Sequence, residues 1–236
     1  MIFITQPTYF PWIGYFGFLD LSNEVIFLDD VQFSKRSWQQ RNKILFNNNF
    51  KYITTPVKSK GKRDQLIQDV QIYNEDFYKD HLKIIQSVYK KTPYFKETYF
   101  VLEGLSEEIS KLRFISDINI MIIRKICEIL NINIFYSRSS ELNIKKKKSL
   151  KLAEICKVKS YSNLLSNEGT IKYLTEDKKI FKKNNIMINF YKYENITYNQ
   201  DSDKFIEGLS IIDLIFHEGP NSINIIRKGM KKILSI

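Results

Sequence analysis

Apolar residues recur in two rhythms along this chain. Positions 2–5 and 25–28 are short unbroken apolar runs, the pattern of strands buried on both faces. Residues 51–57 carry Thr54, Thr55 and Val57 and predict a third strand, with Pro56 near its end. A short helix is expected over 14–21, between the first two runs. The period then changes. Phe77, Tyr78, Leu82, Ile85 and Val88 or Tyr89 fall near helical spacing over 75–91. Thr92-Pro93 separates this helix from another at 94–110, since proline suits a first helical turn. The clearest helix is 117–130, where Ile118, Met121, Ile122, Ile126 and Leu130 share one face. Strand-like runs return at 132–136, 160–164 and 186–193, between helix-like stretches at 149–158 and 172–183. Two closing helices are expected at 209–216 and 222–234, broken by Gly219-Pro220.

This alternation predicts an α/β fold with a mostly parallel sheet flanked by helices. Residues 1–236 read as a single α/β domain, with a helical insertion or side layer over about 75–130. A chain of 236 residues can bury a core without disulfides or metals. Eight glycines and five prolines leave little material for long flexible linkers.

Charge adds one ambiguity. The net charge is +11, which raises polyanions as partners. The lysines are spread over many segments instead of forming one stripe, so nucleic acid is the weaker expectation and a phosphorylated small molecule the stronger. Cys127 and Cys156 show no metal spacing, and the N-terminus lacks a signal-peptide pattern, which together suggest a reduced, cytoplasmic protein. No apolar run reaches the roughly 20 residues of a membrane span. No zinc spacing, Walker loop, Rossmann glycine fingerprint or Gly-x-Ser-x-Gly elbow is present, so no metal is expected.

The candidate chemistry is concentrated in the first forty-five residues. The first strand runs into a loop bearing Gln6 and Tyr9, which can hydrogen-bond a ligand's polar edge. Gly14 at the following helix start either admits a phosphate to the backbone amides or serves packing. The second strand ends in Asp29-Asp30. Asp30 can act as a general base or bind a sugar hydroxyl or amine; the alternative is a helix cap or a salt bridge to Arg36 or Arg41. Lys35, Arg36 and Arg41 suit phosphate, and Trp38 can stack on a base or a sugar face. Farther on, Asp213 and His217 are spaced i, i+4, so an Asp-oriented histidine base and a capping or structural histidine are both open. His81 reads as a solvated histidine on a charged helix face. Tyr198 and Gln200 are further cleft candidates.

The stretch Gln6-Pro7-x-Tyr9-Phe10-Pro11-x-Ile13-Gly14-Tyr15-Phe16 resembles the opening signature of the WbqC-like family. So does Asp29-Asp30-Val31-Gln32-Phe33-x-Lys35-Arg36-x-Trp38-x-x-Arg41-Asn42. Ser140-Glu141-Leu142, Tyr198-x-Gln200 and Leu209-Ser210-Ile211-Ile212-Asp213-Leu214-Ile215-Phe216 fit later blocks. Two departures stand out: Tyr161–Thr170 replaces a Gly-rich turn, and His217 stands where a residue such as Asn is expected. The resemblance implies a role in bacterial O-antigen or capsular polysaccharide synthesis. It adds Tyr15, Asn42 and Ser210 to the substrate-binding candidates. The layout from the first strand to the second is also similar to the nucleotidyltransferase-like, Rossmann-like fold. There Trp12-Ile13-Gly14-Tyr15 overlays the His-x-Gly-His turn, and both histidines are missing.

Two classes of function follow. One is an enzyme acting on a nucleotide-linked amino sugar by acyl or aminoacyl transfer to the sugar amine. Its donor is open, an acyl-CoA or an aminoacyl donor, and an ATP-dependent ligase is a variant. The other is a non-catalytic assembly or nucleic-acid-binding protein.

Overall fold

Strand β1 (Ile2–Thr5) lies inside a six-stranded sheet of order β5-β2-β1-β6-β7-β8 in the computed structural model, which describes residues Met1–Ile236. Its neighbours are β2 (Glu24–Phe27) and β6 (Asn163–Asn167), both parallel to it. β5 (Phe135–Arg138) pairs parallel to β2, and β7 (Met187–Tyr193) parallel to β6. Only β8 (Met230–Ser235) runs antiparallel, along β7. The chain is therefore α/β with a mostly parallel sheet, consistent with a Rossmann-like fold. From β1 the chain turns to β2 on one side, and from β6 to β7 on the other. The topological switch falls between β1 and β6, and ligands of open α/β sheets bind at strand carboxyl ends beside such a switch.

Residue alternation assigns each face its cover, because successive strand side chains point to opposite sides. Ile2, Ile26, Leu164 and Ile188 pack with Ala153 and Ile155 of α6 (Lys148–Val158), Leu174 of α7 (Ile171–Glu176) and Phe181 of α8 (Lys178–Lys183). Phe3, Val25, Phe27 and Leu165 join the larger cluster on the other face. That cluster includes α1 (Ile13–Leu21), α2 (Phe77–Tyr89), α3 (Phe95–Gly104), α4 (Ser106–Ser110) and α5 (Ile115–Ile129), with α9 (Ile211–Glu218) and α10 (Ser222–Gly229). The segment 75–130 thus shares one core with β1 and α1. No helix is long and apolar enough to cross a membrane.

Four expectations are corrected. Arg41, expected in the loop after the second strand, instead opens β3 (Arg41–Phe46), which forms a separate antiparallel hairpin with β4 (Asn49–Thr54). The strands expected at 132–136 and 160–164 begin about three residues later, at Phe135 and Asn163. The helix expected over 172–183 breaks at Asp177 into α7 and α8. The helix expected over 222–234 stops at Gly229 and becomes β8. A Cβ on Gly229 would stand 2.3 Å from the Tyr193 ring, so the chain passes too close there for a side chain.

Candidate functional site

A polar network joins the carboxyl ends of β2 and β5. Leu28 prolongs the pairing to β1 by donating its amide to the Thr5 carbonyl at 2.7 Å. The next residue, Asp29, is fully buried. Its carboxylate accepts the Ser140 amide at 3.1 Å and the Ser140 hydroxyl at 2.9 Å. Arg138, the last residue of β5, stands 3.7 Å from Asp29 and 2.7 Å from Asp117 on α5. Burial raises the Asp29 pKa against the pull of those hydrogen bonds and of Arg138. Asp29 therefore fastens one strand end to its neighbour, while Asp30 in the same turn reaches across to α6.

Asp30 accepts a hydrogen bond from the Ser139 hydroxyl and forms an ion pair with Lys151 in the first half of α6. Its partner is thus Lys151, and neither Arg36 nor Arg41. Of the pair, Lys151 lines a cleft of about 540 Å³, and Asp30 stands behind it. Leu28, Val31 and Leu152 give that cleft an apolar floor, and Tyr173 offers a half-exposed ring. Lys148 and Asp177 add opposite charges, so the lining is mixed. No group of three or more His, Cys, Asp or Glu side chains is arranged to hold a metal ion.

Amides organise the end of β1. Gln6 accepts a hydrogen bond from the Gln39 side chain at 2.8 Å, and Gln39 in turn accepts the Ser34 amide at 2.8 Å. Buried Asn119 of α5 donates to the carbonyls of Pro7 at 3.1 Å and Gln39 at 2.8 Å. Tyr15 is buried and donates to the Gln6 carbonyl at 3.1 Å, so it positions Gln6 from behind.

The basic loop is open to solvent. Lys35 and Arg36 are exposed, and Arg36 adopts a left-handed φ of 57°. Trp38 is 47% exposed, and its ring lies 6.4 Å from that of Tyr52. Arg41 places its guanidinium 4.2 Å over the same Tyr52 ring. Tyr52 is thus a platform shared by Trp38 and Arg41.

Other expected ligand contacts prove to be internal. Tyr9 is fully buried and its hydroxyl meets His81 Nδ1 at 2.7 Å. His81 is buried too, not solvated, and burial drops its pKa to about 4. Gly14 is a packing glycine, since a Cβ there would stand 2.2 Å from the Trp12 ring. Asn42 donates to the Phe10 carbonyl at 2.7 Å and steadies Phe10 at its left-handed φ of 42°. Ser210 is the buried N-cap of α9, accepting the Ile212 amide at 3.4 Å.

Asp213 and His217 are separate from this network. The Asp213 carboxylate is buried and accepts hydrogen bonds from Tyr89 at 3.0 Å, Tyr198 at 2.6 Å and Gln200 at 3.0 Å. Burial raises its pKa despite these donors. His217 Nδ1 lies 2.7 Å from the Asp213 backbone carbonyl, not within bonding distance of its carboxylate, and Nε2 accepts the Asp201 amide at 3.2 Å. With both ring nitrogens committed to backbone, His217 ties the 198–201 segment to α9 and has no free nitrogen for a substrate. Tyr198 and Gln200 complete this structural cluster and do not line the cleft.

The residues that reading the sequence missed are Lys151, Ser139, Arg138, Gln39 and Asn119. The Ser-Ser pair directly after a strand is a usable signal for the first contacts. Lys151 carries none, because it follows a run of lysines.

The class the fold defines is α/β, a Rossmann-like sheet with an acid, a lysine and amides at its strand carboxyl ends. Within that class the chain belongs to the WbqC-like protein family, whose family model matches residues 6–225. It is 29% identical over 227 residues to "Uncharacterized protein Rv1507c" of Mycobacterium tuberculosis (strain ATCC 25618 / H37Rv), an alignment covering 95% of this chain and 96% of that one. No solved structure matches.

Proposed function

We propose that this protein modifies a nucleotide-linked amino sugar of bacterial surface polysaccharide by transferring an acyl or aminoacyl group to the sugar amine. The observation that carries the reading is the Asp30–Lys151 pair, set beside a mixed cleft at the strand carboxyl ends. Sugars suit a wall that combines an aromatic ring with both charge signs, as Tyr173, Lys148 and Asp177 do here. In this reading Asp30 takes a proton from the attacking amine, and Lys151 holds its carboxylate in position. The exposed Lys35 and Arg36, with the half-buried Arg41, suit the diphosphate, and Trp38 beside Tyr52 suits stacking on the base. Asp213 and His217 have no part in this reading.

The test is incubation of the purified protein with nucleotide-linked amino sugars and acyl-CoA or aminoacyl donors, followed by mass spectrometry. A product heavier by one acyl group, formed by wild type and not by Asp30→Asn, supports the reading. A mass gain that needs ATP identifies the ligase variant. No mass gain with any donor, and no shift in melting temperature with the sugars, sinks both.

One observation favours a second reading, single-stranded nucleic acid. On the hairpin, Lys43 lies 4.2 Å over Phe50 and Lys51 5.3 Å over Phe46, beside the Arg41–Tyr52 contact. Cations interleaved with exposed rings are what such strands bind. Salt-sensitive oligonucleotide binding with no response to nucleotide sugars selects it.

A further inference from the structure

A second recess is lined by the chain a few residues after Asp30. Val31 lines the mixed cleft, whereas Phe33, Ser34 and Lys35 line a basin of about 540 Å³ together with Gly61, Lys62 and Arg63. The two hollows differ in chemistry. The basin has three cationic side chains in its lining and no carboxylate. None of the three takes part in an ion pair, and Asp64, next to Arg63, pairs with none of them. Like charges gathered at one recess repel one another until an anion shares them.

The basin is also built, because its two loops are stitched together. Phe33 is buried against Ile67, Val70 and Ile115, and donates its amide to the Gln65 carbonyl at 2.8 Å. The Gln32 side chain donates to the Arg63 carbonyl at 3.0 Å. Gly61 turns the second loop with a left-handed φ of 74°, and nothing lies within 4 Å of where its Cβ would be. The backbone is therefore open to a ligand at that point, as glycine allows.

We infer that Lys35, Lys62 and Arg63 form a polyphosphate subsite that holds the diphosphate of the substrate while the mixed cleft holds the group being modified. This rests on the proposed function for the identity of the diphosphate, and adds Lys62 and Arg63 as specificity residues. A diphosphate spans several oxygens, so it engages three separated cations better than a single phosphate does, and arginine adds bidentate geometry.

Inorganic pyrophosphate is the probe, titrated by calorimetry into wild type, Lys62→Ala/Arg63→Ala and, as a control for general basic charge, Lys231→Ala/Lys232→Ala on the exposed edge strand. The expected result is at least a tenfold loss of affinity in the first variant, no change in the control, and weaker binding of orthophosphate to wild type. Equal loss in both variants, or loss in neither, overturns the subsite. Circular dichroism checks the fold; if the double variant does not fold, Lys62→Gln alone must still weaken binding, and unchanged affinity overturns the inference. A nucleotide sugar that competes with pyrophosphate supports subsite and function together. Pyrophosphate binding lost in the first variant, with no competition from nucleotide sugars, keeps the subsite and rejects the sugar-nucleotide reading.

Discussion

Asp30 and Lys151 are 121 residues apart in the chain and form an ion pair almost out of solvent, with side chains 16% and 7% exposed. Helix α6 crosses the sheet face so that Lys151 arrives over the turn after β2. Removing one partner leaves the other charge buried and uncompensated, which costs about 3 kcal/mol or more. Lys151→Met and Asp30→Asn should therefore each lower the free energy of unfolding by about that much. The double variant should lose less than the sum. Urea denaturation of the four proteins measures the coupling, and strict additivity would show that the pair contributes no interaction.

His81 gives stability a definite pH dependence. Its folded pKa lies at about 4, against about 6.5 for an unfolded histidine. Between these values the unfolded chain binds the proton and the folded chain does not, so stability rises with pH there and is lost as pH falls. The full effect is about 3 kcal/mol, complete above pH 6.5 and gone below pH 4. Equilibrium unfolding at a series of pH values should show this slope, and His81→Gln should flatten it. A slope unchanged in His81→Gln would assign it to other groups.

Gly14 tests whether the signature loop is built for packing or for a ligand. An alanine methyl there meets the Trp12 ring at 2.2 Å and Tyr193 Cβ at 2.7 Å. Overpacking of this kind costs about 1–3 kcal/mol. Gly14→Ala should lower the melting temperature, and Gly14→Ala/Trp12→Leu should recover part of the loss. Loss of ligand binding at unchanged stability would instead return Gly14 to the binding site.

Parts of this fold are readable from the chain because burial on both faces leaves unbroken apolar runs, as at Ile2–Thr5 and in β2. Long amphipathic helices such as α5 are equally plain. The hairpin is not, since Arg41, Asn42 and Lys43 open its first strand and read as loop. Their pairing comes from Ile44 and Ile53 entering the core together. The final strand misleads for another reason, because Met230 to Leu234 holds too short an apolar run to choose between helix and strand. His81 sits among Lys79, Asp80 and Lys83, and only the packing of α2 against Tyr9 reveals that it is buried. The role of Lys151 is set by where α6 lies over β2, which no local pattern records.

Arg36, Trp38 and His217 separate binding from architecture. Arg36 is exposed and makes no ion pair, and Trp38 is nearly half exposed, so truncation of either removes little packing. His217 is buried with both ring nitrogens bonded to backbone, so its loss removes packing and two hydrogen bonds of about 1 kcal/mol each. Arg36→Ala and Trp38→Ala should keep the wild-type melting temperature within a degree or two and shrink the stabilisation by a nucleotide sugar. His217→Ala should do the reverse, melting several degrees lower while keeping the ligand-induced increment, since ligands that bind only the native state add to whatever stability it has. Thermal melts of the three variants with and without ligand decide the matter. If His217→Ala abolishes the increment at unchanged stability, the histidine belongs to the site and its backbone contacts are incidental.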